Sequence, residues 1–132
     1  MGSALIERDR IVCPSWALRR GQVSPEDEKT EEPVERAVSQ VVGDMRFLWL
    51  AIEDQSGPDS ERGYIERNAI ALLSNYCRDP IDPPSSAWLG RYCKRGKVRP
   101  SGLWNSNHVA DSYDPRFLDT LANRISRMAP PA

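Results

Sequence analysis

Phe47-Leu48-Trp49-Leu50-Ala51-Ile52 is an unbroken run of six apolar residues, and it constrains the fold more than any other stretch. A strand with one wet face alternates apolar and polar side chains, whereas a run without alternation must bury both faces. The run therefore predicts a central strand covered by helices on both sides. Glu53 to Pro58 is the turn that leaves it.

The flanking segments have helical periods. Val34, Ala37, Val38, Val41, Val42 and Met45 recur at spacings of three and four, which makes one apolar stripe. That helix is expected to start near Glu31 or Pro33, with Thr30 as cap and Gly43 as its end. Ser60 is expected to cap a second helix reaching Tyr76 or Cys77. A last helix is expected from Asp114 and Pro115, with Phe117, Leu118, Leu121, Ile125 and Met128 as its apolar face. Met1 to Arg10 suggests a short helix through Leu5 and Ile6. Helix, buried strand, helix is an α/β or α+β pattern. One strand cannot make a sheet, so partners are expected in residues 1–16 or 86–109, or outside this chain.

The 132 residues suit one domain. Eleven prolines and eight glycines force short elements and long loops. The expected organisation is one domain over 1–128, with 17–30 an acidic mobile loop, 78–113 a long loop region containing Pro and Trp, and 129–132 a disordered tail. No stretch approaches the ~18 apolar residues of a membrane span, and the first ten residues hold no apolar signal core. A cytoplasmic location with no membrane contact is expected. Cys13, Cys77 and Cys93 are widely spaced, and His108 is the only histidine. Close Cys/His spacing for structural zinc is absent. Three free thiols and a loop or capping histidine are expected.

A net charge of −1 hides an asymmetry: residues 1–66 carry −6 and residues 67–132 carry +5. The positive half concentrates in Arg91-Tyr92-Cys93-Lys94-Arg95-Gly96-Lys97-Val98-Arg99, with five cations and no acid. Trp88, Tyr92 and Trp104 accompany it. Cations at Arg91, Lys94, Arg95, Lys97 and Arg99 suit phosphates, and aromatic rings suit bases. An ordinary solvated loop is the competing expectation.

One carboxylate falls in an unexpected place. At 100° per residue from Ile65, the apolar positions of the second helix run from 340° (Leu72) through Ile65, Ala69, Leu73 and Cys77 to 140° (Ile70). Glu66, at 100°, lies inside that arc, while Asn68 and Asn75 sit on its far flank. A carboxylate there must pair, bind a cation or face water at the arc edge. A salt bridge to Arg62 is one expectation; a metal ligand or acid–base group in a cleft is the other.

The run Gly63-Tyr64-Ile65-Glu66-Arg67-Asn68-Ala69-Ile70-Ala71-Leu72-Leu73-Ser74-Asn75 resembles the C-terminal half of a GIY-YIG nuclease-like family of bacterial and archaeal proteins. So do Phe47-Leu48-Trp49-Leu50, Asp82 to Gly90 and Ser101 to Val109. The resemblance extends over most of residues 1–120. It implies a small antiparallel sheet with flanking helices, with residues 47–52 as its third strand and the fold incomplete at the N-terminus. It implies endonuclease activity on DNA by metal-assisted phosphodiester hydrolysis. Glu66 would hold a divalent ion, Mg²⁺ or Mn²⁺, and Asn75 is the nearest match to the family's downstream asparagine. The family's two tyrosine motifs and its following arginine have no counterpart here, since no tyrosine precedes Tyr64. The resemblance thus implies a chain inactive alone, with a partner or upstream polypeptide supplying the missing hairpin. The alternative is a non-catalytic protein- or nucleic-acid-interaction module.

Overall fold

The computed structural model describes residues 1–18 and 23–128. Among them are five α-helices: α1 (Gly2–Asp9), α2 (Pro25–Gly43), α3 (Glu61–Leu73), α4 (Val98–Ser101) and α5 (Phe117–Arg127). Short 3-10 helices occupy Pro14–Ala17 and Leu89–Tyr92. No described helix is long and apolar enough to cross a membrane.

No strand or sheet exists among the described residues. The expected α/β fold with a small antiparallel sheet is therefore corrected: the described chain is helices and irregular segments. Residues 47–52 have no ladder partner, and residues 1–16 and 86–109 supply no strand. A strand is a non-local object whose N–H and C=O groups need a second strand. Phe47, Leu48 and Trp49 are instead 71%, 103% and 74% exposed. The end of the run is held to α3 by Arg62, whose guanidinium donates to the Ile52 carbonyl at 2.9 Å.

α2 starts earlier than its apolar stripe. Ser24 and Asp27 form a reciprocal capping box, Pro25 occupies the first turn, and Glu26, Asp27 and Glu28 sit at the positive end of the dipole. Residues 25–30 of the expected acidic loop are thus helical, and Pro33 lies inside the helix rather than at its start. Residues 19–22 of that loop and the expected tail 129–132 lie outside the described residues. The stripe packs as its spacing requires: Ala37, Val38 and Val41 press on a core of Ala4, Leu5 and Leu89, joined by Met1 and Trp104. Burying a side chain such as Leu5 contributes about 1.5–3 kcal/mol, and this junction fixes the Leu89–Tyr92 turn against α1 and α2.

α3 packs on α5, and its buried side is offset from the middle of its apolar arc. The buried positions are Ile65, Asn68 and Ala71, while Leu73 is 54% exposed. Asn68 is buried because both ends of its amide are used. Its Nδ2 donates to the Tyr64 carbonyl at 2.7 Å, and its Oδ1 accepts from the Asp114 N–H at 2.7 Å. The Tyr64 hydroxyl donates to Asp114 at 2.9 Å, and Arg124 pairs with Glu61. The first of these bonds lies within α3; the other three, Asn68 to Asp114, Tyr64 to Asp114 and Glu61 to Arg124, set α5 and the residues leading into it against α3. α3 ends earlier, and α5 begins later, than the sequence signals place them. α3 stops at Leu73, where buried Ser74 donates to the Val109 carbonyl. α5 starts at Phe117, with Asp114 accepting from the Arg116 N–H two residues before it.

Candidate nucleic-acid interface

The basic stretch is positioned by two buried anchors. Leu89 and Gly90 are buried at one end, and Val98 is buried at the other. α4 is tied to the end of α3 by the Asn75 N–H, which donates to the Ser101 carbonyl at 2.9 Å. The residues between the anchors loop outward, so their charged heads stay in water.

The loop closes round a concavity of about 490 Å³. Arg91, Lys94, Arg95 and Arg99 line it, together with Trp88, Cys93, Pro84, Gly96 and Pro100, and no carboxylate is in the wall among the described residues. Arg91 is anchored by donating to the Ser85 carbonyl at 3.1 Å and the Pro84 carbonyl at 3.2 Å. Lys94 makes an exposed ion pair with Glu7 of α1 at 2.9 Å. Such a pair contributes little and yields readily to a phosphate. Arg95 and Arg99 make no ion pair among the described residues. Lys97 stands apart, with its ammonium 5.9 Å from the centre of the Tyr76 ring.

Four of the five cations singled out in the sequence thus share one concavity, and Lys97 does not. Trp88 forms part of the wall. Its indole meets Trp104 edge to face at 5.8 Å and lies directly over Gly90, where a Cβ would fall 2.2 Å from a ring carbon. Only glycine leaves room for the ring there. The prolines and Cys93 in the wall carry no sequence signal of such a role. They arrive by folding.

Glu66 lies elsewhere in character. It is exposed on α3, so the expectation of a carboxylate shielded in an apolar face is corrected: the part of the arc that holds Glu66 and Leu73 is open to water, while Ile65 is buried. It is also not paired with Arg62, which instead engages Asp54, with an ion pair at 3.2 Å and a backbone bond at 3.0 Å. Asn75, by contrast, is buried beyond the end of α3, with Nδ2 donating to the Asp82 carbonyl at 3.1 Å. Its Oδ1 is buried without a hydrogen-bond partner among the described residues. The structure gives Asn75 a bracing position between the 82–84 loop and α4 and does not bring it together with Glu66. Among the described residues no three His, Cys, Asp or Glu side chains come together to hold a metal ion. A lone carboxylate in water is a weak site, so the described residues do not by themselves make up a metal centre. His108 has φ 59° and bonds Asp111 through Nδ1 at 2.8 Å, within its own turn.

No curated protein and no solved structure matches this chain. A family model described as GIY-YIG domain matches residues 1–131, nearly the whole length. It supports a nuclease-type function and includes both the basic concavity and α3. On that match, the chain belongs to the GIY-YIG domain family.

Proposed function

We propose that this chain is the DNA-binding part of a GIY-YIG-type endonuclease, and that phosphodiester hydrolysis needs groups the chain does not itself bring together. The observation that carries the binding half is the concavity walled by Arg91, Lys94, Arg95 and Arg99 with no carboxylate among them. Cations gathered in this way bind phosphate by releasing condensed counterions, and guanidinium groups match phosphate oxygens with paired donors. The catalytic half rests on the family and on what the sequence lacks. Glu66 is exposed and reachable, but no tyrosine precedes Tyr64, and Mg²⁺ or Mn²⁺ at Glu66 would need further donors. The exposed, unpaired Phe47-Leu48-Trp49 segment supports a second polypeptide as their source.

The test is fluorescence anisotropy with labelled duplex DNA over a range of salt. Replacing Arg95 and Arg99 together with Ala should lower the log–log salt slope by about 1.8, at ~0.9 per lost phosphate contact. Lys97→Ala should leave the slope unchanged. An unchanged slope in the double variant, or no binding by the wild-type chain, overturns the binding half. Supercoiled plasmid should stay intact with the chain alone and Mg²⁺ or Mn²⁺. Nicking that disappears in Glu66→Ala would overturn the need for outside groups.

A further inference from the structure

We propose that the concavity takes one unpaired nucleotide, its base against Trp88 and its phosphate among Arg95, Arg99 and Lys94, so that the preferred ligand is single-stranded nucleic acid. This inference rests on the proposed DNA-binding role of the same concavity and narrows its substrate.

Three features separate this site from a flat basic patch. The first is size: about 490 Å³ lies in the range of roughly 300–1,000 Å³ that encloses compact small ligands. A duplex is a broad rod with its bases stacked inside, so it can offer such a pocket only its backbone. The second is the aromatic wall. Trp88 lines the pocket while its ring is fixed from two directions, by the edge contact with Trp104 and by the close approach to Gly90. A ring held in this way gives up little side-chain freedom when a base stacks on it. The third is the division of labour among the cations. Arg91 is committed to the carbonyls of Pro84 and Ser85 and shapes the wall. Arg95 and Arg99 have no ion-pair partner among the described residues, and Lys94 holds only an exposed pair with Glu7. Base and phosphate of one nucleotide would therefore meet different parts of the same wall, which duplex DNA cannot reproduce without extruding a base.

The experiment compares three probes of equal phosphate count at one salt concentration: an oligothymidine, the same strand with abasic residues, and a duplex. The full-length chain should bind the oligothymidine more tightly than the duplex. Removing the bases should weaken binding by about 5- to 150-fold, the range set by one stacking contact. In Trp88→Ala that gap between thymidine and abasic strands should close, and in Trp88→Phe, which keeps an aromatic face, most of it should return. The abasic comparison uses the wild-type chain, so the proposal stays falsifiable if Trp88→Ala does not fold. Equal affinity for all three probes overturns the nucleotide pocket while leaving phosphate-directed DNA binding intact. Failure to bind any of them overturns both.

Discussion

Gly90→Ala tests whether the wall of the concavity is built as described. A Cβ at residue 90 would stand 2.2, 2.3 and 2.5 Å from three carbons of the Trp88 indole, Cζ2, Cη2 and Cε2. Carbon atoms settle near 3.5–4.0 Å, so the overlap is about 1 Å or more at each of three atoms and no small torsion relieves it. The ring must swing away or the Leu89–Tyr92 turn must move. Moving the turn disturbs Leu89, which is buried against Ala4 and Leu5. Swinging the ring gives up the edge-to-face contact with Trp104, which is worth about 0.5–1.5 kcal/mol beyond its buried area. Overpacking of this kind costs about 1–3 kcal/mol, or roughly 3–6 °C of melting temperature per kcal/mol for a chain of this length. Urea and thermal unfolding followed by circular dichroism measure the loss, and oligothymidine affinity reports the displaced ring. The partner experiment places Gly90→Ala in a Trp88→Ala background. With the indole gone the new methyl has space, so the second substitution should add almost nothing, a coupling close to the whole cost of the single change. Wild-type stability and affinity in Gly90→Ala, or additive losses in the double variant, would refute the packing of Trp88 over Gly90.

Two further outcomes follow from the fold and its charges. Leu48→Asp should change stability by no more than about 0.5 kcal/mol, because a fully exposed side chain has no packing to lose; a loss above ~1.5 kcal/mol in urea unfolding would mean that the 47–52 run is buried against something. Acid should destabilise the chain through two carboxylates: the Arg116 guanidinium and the Tyr64 hydroxyl hold Asp114 well below its ordinary 3.8, and Arg124 holds Glu61 below its ordinary 4.5. Because these folded-state values are lowered, the unfolded chain binds more protons, so the contribution is complete above about pH 4.5 and is lost as pH falls toward the folded values. Urea midpoints measured from neutral to acid pH should show that decline, and replacing Arg116 and Arg124 with Gln should flatten it; an unchanged acid slope would remove these pairs from the account.

What the sequence determined by itself is what local periodicity can carry. Val34, Ala37, Val38 and Val41 lie on one side of a helix because of their spacing, and the α1–α2 junction uses three of the four as core contacts. Arg91, Lys94, Arg95 and Arg99 are close together along the chain, so their meeting needed little beyond a turn. The tertiary structure decided two other matters. Whether Phe47–Ile52 becomes a strand depends on a hydrogen-bonding partner distant in sequence, and among the described residues none exists; an apolar run is necessary for a central strand but cannot summon its neighbours. Which face of α3 turns inward was equally undetermined. Its apolar residues spread round a wide arc, so hydrophobicity alone selects no single direction. Asn68 settles the matter by joining the Tyr64 carbonyl to the Asp114 N–H, and Ser74 by reaching the Val109 carbonyl. Those partners lie 46 and 35 residues away along the chain. Small polar side chains can be buried when distant backbone groups satisfy them, and that burial rotates Glu66 and Leu73 into water.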